Sequence, residues 1–158
     1  MNENMNIRPA NAEDVWRIAE IFVTDYRVNF YPFFLNDAYY FNELNVRDSA
    51  AEFAEAEMLR QTFVYDDGII KGFARIQGNL LDKLFIEPAF QSKGIGAALL
   101  QFSVEHGADH LWALEYNKRG IAFYQRHGFR LTGEKIIEDE WVPLVKMALD
   151  TASAPESF

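Results

Sequence analysis

Two stretches of the 158-residue chain place glycines and polar side chains where chemistry can be done. The first runs Leu84-Phe85-Ile86-Glu87-Pro88-Ala89-Phe90-Gln91-Ser92-Lys93-Gly94-Ile95-Gly96-Ala97. An apolar strand ends in a proline turn, and a short loop with two glycines opens directly into a helix carrying Leu99, Leu100 and Phe102. A loop of this kind exposes backbone N–H groups at a helix N-terminus, where unpaired donors and the helix dipole favour an anion. Glycine accepts unusual backbone angles and lets a phosphate approach the main chain closely. The segment therefore reads as a phosphate cradle, against the plainer alternative of a glycine-containing strand–helix turn. Two nucleotide motifs do not fit it. A P-loop requires Gly-Lys-Ser/Thr, whereas Lys93 precedes Gly94 and Ile95 follows. The dinucleotide fingerprint requires a third glycine where Leu99 stands, and a parallel strand where this loop follows antiparallel ones.

The second stretch is Leu111-Trp112-Ala113-Leu114-Glu115-Tyr116-Asn117, a strand, leading into the helix from Lys118 towards His127 and then Gly128-Phe129. Taken alone, Asn117 is a good helix N-cap and Tyr124 is a helix tyrosine packed on a sheet. The two blocks together resemble the GNAT superfamily of acetyl-CoA-dependent N-acetyltransferases. Gln91-Ser92-Lys93-Gly94-Ile95-Gly96 is similar to its pyrophosphate motif, and Asn117, Ala122, Tyr124, Gly128 and Phe129 resemble its second region in the same order. The likeness is close over Leu80 to Phe129 and extends elsewhere only in the order of elements.

That resemblance implies specific roles. Leu84, Phe85 and Ile86 would splay from the strand Leu111 to Tyr116, and the cofactor's pantetheine arm would lie in the gap and pair with their backbone. Gln91, Ser92, Lys93, Gly94, Ile95, Gly96 and Ala97 would hold the pyrophosphate, with Lys93 either adding charge there or standing solvated. Asn117 would bond the cofactor arm, and Tyr124 would act as general acid towards departing CoA. The general base is not assigned, because Trp112 stands where several relatives carry a glutamate. Asp82, Glu87, Glu115 or a water chain are the candidates. The implied activity is transfer of an acetyl group from acetyl-CoA to a primary amine by direct attack in a ternary complex. The alternative is a non-catalytic acyl-CoA sensor or scaffold of the same fold.

Positioning these residues requires a particular set of elements. Met5 to Arg8 reads as a short strand stopped by Pro9. A helix follows, with Asn11 as N-cap, Asp14 in its first turn, and an apolar stripe of Val15, Ile18, Ala19, Phe22 and Tyr26. Phe30, Tyr31, Phe33, Phe34, Tyr39, Tyr40 and Phe41 crowd into the next stretch, either as a second helix packed on the sheet or as a wall of an apolar substrate pocket. Ser49-Ala50-Ala51-Glu52 has the form of a capping box for a helix through about Met58. Period-two strands then follow at Thr62 to Tyr65, Ile69 to Ile76 and Leu80 to Ile86. After them come a helix from Gly94 to His106, the second stretch, a strand from Phe129 to Thr132 and a last strand from Val142 to Leu149. The expected fold is α/β: a mixed six- or seven-stranded sheet with helices on both faces, in one domain over residues 1–150. The tail 151–158 is expected to be flexible.

Composition narrows the partners. The net charge is −9, which disfavours nucleic acid. The acidic run Glu138-Asp139-Glu140 is either a solvated loop or a surface that attracts a cationic substrate. There is no cysteine, so disulfides and thiolate chemistry are excluded and a cytoplasmic location is expected. No apolar run reaches the roughly 20 residues a membrane helix needs. His106 and His110 have helical spacing but Gly107 lies between them, so no metal site is expected. No Gly-x-Ser-x-Gly elbow is present. The expected partners are acetyl-CoA and a small-molecule or peptide amine. Homodimer formation and the identity of the amine stay open.

Overall fold

Alternating side chains in the middle of the chain build three antiparallel strands that face helices on either side. The computed structural model describes residues 6–150; Met5 of the expected first strand and the tail Thr151 to Phe158 lie outside them. Strand β1 (Ile7–Pro9) pairs with β2 (Thr62–Asp66), β2 with β3 (Ile70–Gln77), and β3 with β4 (Leu80–Ile86), all antiparallel. Val64, Phe73 and Phe85 point to one face, against helices α1 (Val15–Asn29) and α3 (Val46–Phe53). Tyr65, Ala74, Leu84 and Ile86 point to the other, against α5 (Ile95–Glu105). Phe73 and Leu99 are fully buried on opposite faces, and burying a side chain of that size contributes about 1.5–3 kcal/mol.

The sheet has seven strands in the order β1-β2-β3-β4-β5-β7-β6. Strand β5 (His110–Leu114) lies parallel to β4, and β7 (Val142–Leu149) inserts between β5 and β6 (Phe129–Glu138). Helix α6 (Lys118–Arg126) connects β5 to β6.

The β4–β5 pairing is brief. It consists of Leu80↔His110 and Leu81↔Leu111 and then stops. The cause is visible on the other side of β4, where Arg75 pairs with Lys83 but Ile76 pairs with Leu81. Asp82 is therefore an extra residue, a β-bulge that bends the strand. Beyond it β4 leaves β5, while β5 stays paired to β7 as far as Leu114↔Leu144. A wedge-shaped gap opens in the middle of the sheet.

Three boundaries differ from the expectations. The helix expected to start at Ser49 starts at Val46, capped by Asn45, whose Oδ1 accepts the Asp48 N–H at 2.8 Å. Ser49 is buried in the helix interior, and the segment breaks after Phe53 before a short α4 (Ala56–Arg60). Strand β6 does not end at Thr132, because Gly133 (φ 93°) sits within a register shift between Leu131 and Lys135 instead of terminating the strand. The aromatic stretch forms no single helix. It folds as α2 (Tyr31–Phe34) and a π-helical turn Tyr39–Glu43.

Candidate active site

The wedge between β4 and β5 is the mouth of a cleft of about 370 Å³. Its first wall is main chain. The Glu87 N–H donates to Lys71 O at 2.9 Å, and hydrogen bonds alternate along an antiparallel pair. The N–H and C=O groups of Leu84 and Ile86 therefore turn away from β3, towards the gap that β5 has vacated. Gly72 allows this packing: a Cβ there would lie 2.7 Å from Ile86 Cδ1 and 2.9 Å from Phe85 O.

The second wall is the loop into α5. Gly94 caps the helix at φ 87° and Ser92 also lies at positive φ, 64°. Among the described residues no N–H from Ser92 to Ala97 has a hydrogen-bond partner, and the first to find one is Ala98, to Gly94 O at 3.0 Å. A row of free donors at a helix N-terminus is the setting for an anion. Gln91, Ser92, Gly94, Gly96 and Ala97 line the cleft. Ile95 turns its side chain into the core, and Lys93 is exposed outside the lining.

Helix α6 makes the third wall. Asn117 is its N-cap, with Oδ1 accepting the Gly120 N–H at 2.9 Å, and its side chain also lines the cleft. Tyr124 lies two turns on and faces the same space. Burial holds its phenol above the ordinary tyrosine range, so it stays protonated. Arg119 Nη2 donates to Ser92 Oγ at 2.8 Å, tying α6 to the anion loop and bringing a guanidinium to the cleft.

Helix α1 closes the fourth side with Asp25, Asn29 and Phe30. Asp25 is 1% exposed, and among the described residues its Oδ2 has no hydrogen-bond partner. Oδ1 meets Gln91 Nε2 at 3.5 Å, and the same Nε2 donates to Ile86 O at 3.2 Å. Burial, and then the charge of Glu87, push the Asp25 carboxyl up to about 8.

The structure thus gathers Leu84, Phe85, Ile86, the Gln91 loop, Asn117 and Tyr124 around one cleft. The three candidate bases are elsewhere. Asp82 is paired with Arg75 at 3.0 Å and Lys83 at 3.2 Å, Glu87 with Arg17 at 2.7 Å, and Glu115 with Lys135 at 2.9 Å. None of the three lines the cleft. Sequence reading missed Asp25, Asn29 and Arg119. The first two had a signal: Ile18, Phe22, Asp25 and Asn29 fall on one helical stripe, so a carboxylate stands on an apolar face. The aromatic segment divides between its two readings. Phe30 lines the cleft, while Phe34, Tyr39 and Tyr40 pack around Trp141.

Residues 36–151 match the family model described as acetyltransferase (GNAT) domain. The chain belongs to the GNAT acetyltransferases. Over 80 residues it is 29% identical to the peptidyl-lysine N-acetyltransferase YjaB of Escherichia coli, covering 49% of this chain and 54% of that protein. Over 61 residues it is 36% identical to the spermine/spermidine N(1)-acetyltransferase of Bacillus subtilis, covering 34% of this chain and 40% of that one. The matches to curated relatives such as YjaB therefore span about half their length or less. Among solved structures, the PaiA N-acetyltransferase of Thermoplasma acidophilum in complex with coenzyme A superimposes with a TM-score of 0.61 at 19% identity, over 89% of this chain and 96% of that one. At that identity the likeness shows the GNAT fold, which is the fold expected from the two sequence blocks. Among the described residues no group of His, Asp or Glu is arranged to hold a metal ion, and no helix is long and apolar enough to cross a membrane.

Proposed function

We propose that this GNAT domain transfers an acetyl group from acetyl-CoA to a primary amine, by direct attack in a ternary complex. The observation that carries the reading is the loss of β4–β5 pairing after Leu81↔Leu111. It leaves the Leu84 backbone and the Ile86 N–H without a strand partner along a cleft that ends in a row of free N–H donors. An extended arm bearing amides and a pyrophosphate at one end matches that wall: main chain pairs with the amides and the loop takes the phosphates. The residues present fit acetyl-CoA. Leu84 and Ile86 would pair with its arm, the loop Gln91 to Ala97 would hold its phosphates, and Asn117 and Arg119 would close the other side. Bound there, acetyl-CoA supplies an activated acyl group.

The chain's own residues do the rest. The N–H groups of Leu84 and Ile86 are fixed donors that can stabilise negative charge growing on the thioester oxygen, without reorganising at the moment of attack. Tyr124 holds a proton at its phenol oxygen and delivers it to the departing sulfur, and the proton that the acylated amine releases restores the phenol. The walls of the cleft exclude water and align the amine with the acyl carbon. Acceptors of the class carried by the named relatives, peptide lysine or polyamine, are primary amines that suit an acidic protein of charge −9. A cytoplasmic location, where acetyl-CoA is the co-substrate, is part of the same reading. Retention of a cleft-facing tyrosine favours an enzyme over a non-catalytic acyl-CoA sensor.

Isothermal calorimetry with acetyl-CoA, with ADP and NAD as controls, tests the cofactor. Micromolar binding confined to acetyl-CoA is the expected result. A panel of primary amines, read by thiol release, then tests transfer. Folded protein that binds no acetyl-CoA would overturn the reading, and tight binding without turnover of any amine would move it to the sensor.

A further inference from the structure

Asp25 is a cost the fold does not need. A carboxyl 1% exposed on the cleft side of α1, with one oxygen unpartnered, gives up its hydration for a single long contact to Gln91. An unsatisfied buried polar atom costs about 1–3 kcal/mol, and leucine at this point of the stripe would remove that cost. Asp25 lines the same cleft as the open edge of β4, beside Ile86, whose carbonyl already shares Gln91 with Asp25. Whatever lies along that edge lies in the cleft that Asp25 lines.

We propose that Asp25 is a cofactor-binding residue that works as a neutral acid, its Oδ2–H donating to a carbonyl or hydroxyl oxygen of the pantetheine arm, so that acetyl-CoA binding is coupled to proton uptake. The inference rests on the reading of the cleft as an acetyl-CoA site. Charge decides which form of Asp25 suits the cleft. The loop that begins at Gln91 is built for phosphates, and a carboxylate beside it would repel them, whereas a carboxylic acid adds a donor and no charge. The surroundings agree. Glu87, at the end of β4, contributes negative charge even though Arg17 pairs with it, and Gln91 is uncharged. The opposite wall, on α6, carries Arg119, Arg126 and His127 together with Tyr124. No cation bonds Asp25 itself among the described residues. In the free protein the carboxyl titrates near 8, and an anionic ligand raises it further.

The test is calorimetry with acetyl-CoA from pH 7.0 to 9.0, in buffers of different ionisation enthalpy. Acetyl-CoA has no free thiol to titrate in that range. For the wild type, affinity should fall by up to about tenfold per pH unit above the carboxyl's own pKa, with uptake of up to about one proton per ligand bound. Asp25→Asn, which keeps a donor but no titrating proton, should lose both the fall and the uptake. Asp25→Ala should bind about tenfold more weakly at pH 7.0 through loss of the donor. Tight wild-type binding with no proton uptake would overturn the proposal, and so would uptake that persists in Asp25→Asn. Asp25→Asn that binds with the wild-type pH dependence but does not transfer would overturn it in favour of a general base. Absence of acetyl-CoA binding by the wild type at every pH would overturn the cofactor reading itself, and this proposal with it.

Discussion

A general acid must still hold its proton when the leaving group needs it, and Tyr124 meets that condition through its place on α6. Facing the cleft from a desolvated position, its phenol is held above the ordinary range. It should contribute no limb to the pH–rate profile through neutral pH. Tyr124→Phe is expected to keep acetyl-CoA affinity within about twofold and to lower kcat by about 100-fold, as loss of a positioned proton donor does. Stopped-flow transfer and calorimetry on the same variant check both halves, and an undiminished kcat would remove the acid role. Beside it, Gly120 is constrained by Asn117. A Cβ at Gly120 would lie 2.5 Å from Asn117 Nδ2 and 2.9 Å from its Cγ, so Gly120→Ala must displace the capping side chain. The expected outcome is a loss of about 1 kcal/mol in urea unfolding together with weaker acetyl-CoA binding. A stability loss with intact binding would show that Asn117 serves the helix alone. These residues were legible because each stands in a short motif with a fixed spacing. Asp25 was not, because its meaning depends on what α1 packs against, and an aspartate on an apolar stripe is only an anomaly until the facing wall is known.

One scale up, the site exists because β4 parts from β5 while staying paired to β3, and two small features make it do so. Asp82 is the extra residue of the bulge, and Gly72 on β3 leaves room for Ile86 and for the Phe85 carbonyl where the strands press together. Gly72→Ala presses its methyl group against the Ile86 side chain and the Phe85 carbonyl. It should cost about 1–3 kcal/mol, as overpacking does, and shift the edge that carries Leu84 and Ile86. A thermal melt together with acetyl-CoA calorimetry would read both effects, and weaker binding than the stability loss alone explains is the expected signature. Strand β4 and the helices that follow it were legible to within a residue or two, since a period-two run closed by proline and a glycine loop has little else to become. The splay was supplied by family resemblance, because no local pattern marks a bulge at Asp82. Elsewhere local signals misled. Ser49 has the spacing of a cap, but Asn45 takes that place because its side chain reaches the Asp48 N–H while Ser49 is needed inside. Gly133 looks like a strand end, yet β7 continues along both sides of the shift and holds β6 together.

For the whole molecule, two buried aspartates on the same helical segment pull stability in opposite directions with pH. Asp14 is desolvated, which alone would raise its pKa, but the Arg8 guanidinium and the Asn11 N–H outweigh this and leave it below the usual carboxylate range. Arg8 also reaches Asp66, so this cluster ties β1 and the start of α1 to β2. A depressed carboxyl stabilises the fold above its unfolded pKa, and that contribution is lost as pH falls through the folded value. Asp25 has the reverse sign. Its carboxyl is raised to about 8, so between the unfolded carboxylate value of about 3.9 and 8 the native state holds a proton that the unfolded chain has released. Its contribution is complete at acid pH and fades as pH rises through that window. Urea titrations at pH 5 and pH 8 should therefore find the wild type less stable at pH 8, by up to about 1.4 kcal/mol for each pH unit over which the extra proton is held. Asp25→Asn should flatten that slope, and Asp14→Asn should leave it and remove the acid-side loss instead. Parallel wild-type and Asp25→Asn curves would mean that Asp25 is already ionised in the folded protein at pH 5. If the slope is found, the protein holds a desolvated carboxyl against the cleft at a cost that grows with pH, and a ligand that keeps Asp25 protonated restores at pH 8 the stability the empty fold gives up there.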